Sequence, residues 1–98
     1  MSATNLISIV TSSATPVIRS LVGLPAPVTV TVIPGANTAL LEYTTSSAAK
    51  VTGGTANWLA WPAGAVTVNT SDTLIGPVTA VRLSRTVGAA QVEAEIVS

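Results

Sequence analysis

The stretch Val28-Thr29-Val30-Thr31-Val32 alternates branched apolar and hydroxyl side chains without a break. That period of two fits an extended strand with one buried and one wet face. A helix would scatter the same residues around its circumference. The rest of the chain agrees with this local demand. Val, Ile and Thr dominate it, and their branched Cβ atoms lose side-chain freedom in a helix but sit well on a pleated sheet. Short apolar runs recur between clusters of Gly, Pro, Asn and Ser, at about the 8–12-residue spacing of sandwiches and barrels.

This pattern predicts about eight short strands, drawn from nine candidate runs near residues 6–10, 17–22, 28–32, 39–45, 58–60, 65–68, 73–75, 78–87 and 89–97. Pro34-Gly35-Ala36-Asn37 has the chemistry of a tight turn, so residues 39–45 are expected to return antiparallel beside 28–32. Residues 46–50 suit a loop or one helical turn, Gly53-Gly54 a hinge or hairpin turn, and Asn69-Thr70-Ser71-Asp72 an Asx-type turn. The last third reads as the longest hairpin, turning at Gly88, with Ala90, Val92, Ala94 and Ile96 on one face and Gln91, Glu93 and Glu95 on the other. The natural closure is an all-β fold: a single antiparallel β-sandwich, Greek-key or jelly-roll-like, covering residues 1–98 as one domain. An alternative for residues 1–15 is an N-terminal arm that docks on a neighbouring subunit.

Charge excludes several classes of function. Only 8% of the 98 residues are Asp, Glu, Lys or Arg, against about 25% in typical soluble domains. Fifteen Thr and ten Ser supply the polar surface instead, and the formal net charge is zero. No basic stripe exists to neutralise phosphates, and the aromatics are limited to Trp58, Trp61 and Tyr43, so nucleic-acid binding is not expected. No run approaches the ~20 apolar residues of a membrane-spanning helix. No positively charged region precedes an apolar one at the N-terminus, so no secretory signal is expected. A 48% hydrophobic content argues for a folded chain. Zero net charge and a small core both favour self-association.

Catalytic chemistry is poorly supplied. His and Cys are absent, which removes the usual neutral-pH acid and base and the commonest metal ligands. A Ser or Thr nucleophile would need a base, and Lys50 is the only lysine. Ser47 precedes it by three residues, a spacing shared with penicillin-recognising enzymes, but the two further motifs of those enzymes are missing. The carboxylates are Glu42, Asp72, Glu93 and Glu95. Glu93 and Glu95 sit beside each other on one strand face rather than across a cleft, as a solvated sheet face or as partners for Arg82 and Arg85 on the adjacent strand. Asn69-Thr70-Ser71-Asp72 offers too few carboxylates for calcium, and Gly53-Gly54-Thr55 lacks the lysine and spacing of a phosphate loop. No catalytic residue, cofactor or metal is expected, and the chain reads as a non-enzyme.

Trp58 and Trp61 are spaced by three in an extended segment, so they point to opposite faces. One can lie in the core while the other meets a subunit or a carbohydrate; the alternative is that both cover open ends of the sandwich. The segments Trp58-Leu59-Ala60-Trp61-Pro62-Ala63-Gly64 and Leu74-Ile75-Gly76-Pro77-Val78-Thr79-Ala80-Val81-Arg82-Leu83 resemble small virion proteins of tailed bacteriophages, over roughly the C-terminal half of the chain. That resemblance implies a capsid decoration or cement protein on the virion surface. It would be a homo-oligomer, dimer or trimer, bound between major capsid subunits without a nucleic-acid, membrane or small-molecule partner. Trp58, Trp61, Pro62, Tyr43, Arg82 and Arg85 are the candidate interface residues. The competing reading is a tail or fibre module in which Trp61 and Tyr43 stack on a host glycan.

Overall fold

In the computed structural model, which describes residues 6–12, 14–24, 26–88 and 90–98, the alternation at 28–32 becomes the central strand β3 (Val28–Ile33). Val28, Val30 and Val32 are buried and Thr29 and Thr31 face outward. The other strands are β1 (Leu6–Thr11), β2 (Val17–Ser20), β4 (Thr38–Thr44), β5 (Leu59–Ala60), β6 (Thr70–Leu74), β7 (Ala80–Val87) and β8 (Val92–Val97). They form two four-stranded sheets in the orders β1-β8-β3-β6 and β2-β7-β4-β5, and every pairing is antiparallel.

The pairing has a simple rule. β1 joins β8, β2 joins β7, β3 joins β6 and β4 joins β5. A chain folded once into a long hairpin and then rolled up gives this order, which is that of a jelly roll. The expected all-β sandwich is therefore present with its topology resolved. Side chains from both inner faces fill it: Ile9, Val30, Val32, Ala94 and Ile96 from one sheet, and Ala39, Leu41, Val81 and Leu83 from the other. Burying each Val, Leu or Ile contributes about 1.5–3 kcal/mol, which makes this interior the main stabilising element.

Two expected hairpins are corrected. β4 does not return beside β3, and β8 does not return beside β7, because in each case the second strand belongs to the opposite sheet. The connections at 34–37 and 88–91 have four residues each. At roughly 3.3 Å per residue they span the ~10 Å between packed sheets, which a two-residue hairpin turn does not. Residues 65–68 form no strand; Val66 instead makes an isolated bridge to Ala39, with N–H to O distances of 2.9 and 3.0 Å in the two directions. Asn69-Thr70-Ser71-Asp72 is not a turn either, since Thr70, Ser71 and Asp72 lie in β6 against Val32, Thr31 and Val30. Residues 6–11 of the expected arm form β1 and pair with β8 from Leu6↔Val97 to Thr11↔Val92; residues 1–5 lie outside the described residues.

The one-turn alternative at 46–50 is realised, slightly displaced, as α1 (Ala48–Gly53). Ser47 is its N-cap, accepting from the Lys50 amide at 3.3 Å. At the other end Gly54 adopts φ 78°, its N–H bonds the Val51 carbonyl, and the Thr55 N–H bonds the Lys50 carbonyl at 2.9 Å. That is a Schellman cap, which favours glycine at this position. The Ser47–Lys50 spacing and the Gly53-Gly54 pair are thus the two ends of a short helix.

The end of the sandwich carrying the 34–37 and 88–91 connections is tied by a buried amide. Asn37 is 5% exposed. Its Nδ2 donates to the Pro34 and Gln91 carbonyls at 2.9 and 3.1 Å, and its Oδ1 accepts from the Ala90 amide at 3.0 Å. Gly88, at φ 103°, leaves the space this requires: a Cβ there would stand 2.1 Å from Asn37 Oδ1.

Candidate interaction surfaces

The jelly roll distributes the six candidate residues over four places. Trp58, Arg82 and Glu42 meet on the outer face of the second sheet. Glu42 and Arg82 are register partners across β4 and β7, and Arg82 Nε donates to Glu42 Oε1 at 2.8 Å. The Arg82 guanidinium also lies 4.6 Å from the centroid of the Trp58 ring. Such a cation–π contact contributes about 0.5–1 kcal/mol at an accessible site, and an ion pair near the surface about 0–1 kcal/mol. The cluster joins β4, β7 and the segment leading into β5, and Trp58 within it stays partly exposed. Arg85 is not part of it; Arg85 Nη1 donates to the Ser12 carbonyl and ties β7 to the β1–β2 connection.

Tyr43 and Pro62 come together elsewhere. They line an open cleft of about 360 Å³ whose other wall is formed by Leu74, Ile75, Gly76, Pro77 and Val78. Ile75 is 83% exposed, the highest value among the large apolar side chains. The rim is rigid, because two prolines fix its backbone and Pro62 follows a fully anchored residue.

That anchored residue is Trp61, and its assignment as a contact residue is corrected. Trp61 is 1% exposed. Its amide donates to the Leu41 carbonyl at 3.0 Å and its indole Nε1 to the Gly64 carbonyl at 2.6 Å. The opposite-face geometry of the two tryptophans holds, with Trp61 inside and Trp58 outside, but Trp61 presents no ring face to a glycan or a neighbour.

Of the two expectations for Glu93 and Glu95, the outward sheet face holds and the pairing with Arg82 and Arg85 does not, since β7 and β8 lie in different sheets. Glu93 and Glu95 occupy the outer face of the first sheet, beside Ser8, Val10, Thr31 and Ile33. A hydroxyl pair, Thr31 Oγ1 with Ser71 Oγ at 2.6 Å, continues that face. Asp72 accepts from the Thr73 amide. Among the described residues no three His, Cys, Asp or Glu side chains gather to hold a metal ion, and the Ser47 hydroxyl, three residues before Lys50, serves as a helix cap.

Two residues that sequence reasoning missed are Asn37 and Gly88. The signal was present in the position of Gly88 as a lone glycine between two long runs, and in an Asn closing a Pro-Gly turn. Their contact joins residues 51 apart, which no local pattern reveals. No protein-family model, no curated protein and no solved structure matches the chain.

Proposed function

We propose that this chain is a non-enzymatic structural subunit of a tailed-phage particle, a decoration or cement protein seated among major capsid subunits on the outer surface. The observation that carries the reading is the quality of its exposed surface. Leu6, Val10, Val22, Leu59, Val68, Ile75 and Val87 all stand half or more exposed, on a domain whose remaining surface is largely hydroxyl and whose charged residues number eight. Large apolar side chains in solvent mark contact sites when they gather with rigid, weakly hydrated neighbours, as Ile75 does with Pro77, Val78 and Tyr43. Jelly rolls serve capsids, lectins and cupins alike, so the fold supports this reading only together with the surface and with the likeness of residues 58–64 and 74–83 to small phage virion proteins.

A cement protein acts mechanically. It buries area across seams between capsid subunits, and its own marginal stability rises as those contacts form. The tail or fibre reading loses one of its two stacking aromatics, because Trp61 lies in the core, and keeps the partly exposed Tyr43. The test is to prepare particles with and without the protein and heat them. Particles lacking it are expected to release their genome at a lower temperature, and adding back purified protein should restore the original value. Equal release temperatures combined with lost adsorption to host cells would overturn the capsid placement in favour of the tail.

A further inference from the structure

The geometry points to β1 as a self-pairing edge: we infer that two copies of this chain join β1 to β1 in antiparallel fashion, merging their first sheets into one continuous eight-stranded sheet. Each sandwich has four edge strands, and three of them are blunted. β2 has four residues and carries Arg19, β5 has two residues, and β6 carries Asp72. Short length and charge are the usual devices that stop edge-to-edge pairing. β1 has neither. Leu6-Ile7-Ser8-Ile9-Val10-Thr11 contains no ionisable side chain and no proline, and among the described residues the backbone of Leu6–Val10 pairs with β8 and with no other strand.

The strand is also self-complementary. Leu6, Ser8 and Val10 share its outer face, with Leu6 65% and Val10 50% exposed. A two-fold axis through Ser8, normal to the sheet, sets Leu6 of each copy opposite Val10 of the other, with the two Ser8 hydroxyls facing each other at the centre. Directly opposed apolar and hydroxyl pairs of this kind stabilise antiparallel strands. An axis through Ile9 would leave Leu6 opposite the Ser12 side of the next connection, so the Ser8 register is the one that covers both apolar side chains. Electrostatics permit it. Glu93 and Glu95 flank Val10 and Ser8 on β8, but the β8 strands of the two copies lie three strand spacings apart, roughly 14 Å. That exceeds the ~8 Å screening length at physiological salt. The zero net charge adds no long-range repulsion.

The five paired residues Leu6–Val10 bury less than the roughly 1,200 Å² at which stable interfaces begin, so the dimer is expected to be weak and to form within about 1 μM to about 1 mM. The dimer is a property of the isolated chain, and its failure would leave the capsid proposal to its own test. Sedimentation velocity on the full chain across that range tests it. Leu6→Lys and Val10→Glu alone should each weaken the dimer by about tenfold or more, because the two-fold axis repeats each lesson of the register in both Leu6–Val10 pairs. Ser8→Lys should do the same by placing like charges face to face, and it removes no packed side chain. The combined Leu6→Lys, Val10→Glu variant should restore dimerisation, because every introduced cation then faces an introduced anion. Circular dichroism reports that each variant is folded. A wild-type chain that stays monomeric to about 1 mM, a dimer indifferent to Ser8→Lys, or a folded double variant that stays monomeric would each overturn the inference.

Discussion

Replacing Asn37 by alanine removes three hydrogen bonds from the end of the sandwich where β3 passes to β4 and β7 to β8. Each such bond contributes a net ~1 kcal/mol, which sets a ceiling near 3 kcal/mol. The Pro34 carbonyl keeps the Asn37 backbone N–H at 3.1 Å, and Ala90 and Gln91 are exposed enough for water to reach their freed groups. The expected loss is therefore about 2 kcal/mol, or a fall in Tm of roughly 10 °C for a domain of this size. Gly88→Ala attacks the same contact from the other side. Its new Cβ would stand 2.1 Å from Asn37 Oδ1 and 2.9 Å from Cγ, so the amide must leave and its bonds go with it. Holding alanine at φ 103° adds about 1–2 kcal/mol, for a total of about 3–4 kcal/mol. In the double variant the displaced amide is already gone, and the nearest remaining Asn37 atom is its Cβ at 3.1 Å. Only the backbone term is then added to the Asn37→Ala loss. The two substitutions should be sub-additive by about 2 kcal/mol in a double-mutant cycle. Urea unfolding followed by tryptophan fluorescence measures all three variants. Additivity within about 0.5 kcal/mol, or an Asn37→Ala loss below that size, would refute the lock.

Three further outcomes follow from the same structure. Trp61→Ala should cost about 3–5 kcal/mol because it empties a fully buried site, and Trp61→Phe should fold with a smaller loss that includes the bond to Gly64; thermal melts of both check this. Ser47→Ala should cost about 1 kcal/mol through the lost cap of α1, with hydrogen exchange accelerating in residues 48–54 and not in β3 or β8. Ile75→Ser should change stability by less than about 0.5 kcal/mol, since the side chain is already in solvent, while lowering the occupancy of the protein on particles in a co-sedimentation assay.

What the sequence made legible was periodicity, and what it hid was partnership. Alternation at 28–32 and 92–97 identifies which face is buried, because the period of a strand is a local property. Which strand lies alongside is decided by connection length and by closure of the whole sandwich. The four residues at 88–91 read as a hairpin turn by composition, yet they cross from one sheet to the other. The Thr70-Ser71-Asp72 run looks like a turn for the same compositional reason, but a polar strand suits the exposed edge position of β6. Tyr43 and Pro62, and separately Trp58 and Arg82, were nominated individually; their grouping into a cleft and a cation–π cluster depends on the roll. Trp61 and Trp58 could be assigned to opposite faces but not to inside and outside, since the spacing of three says nothing about which face the core occupies.

The most direct test of the structural role is the copy number and position of the chain on intact particles, measured by imaging at a resolution that shows individual subunits. The capsid-cement account predicts a fixed, high copy number in register with the major capsid subunits, with the Ile75 cleft turned toward a neighbour. A few copies confined to the tail, or no ordered copies on the shell, would contradict it.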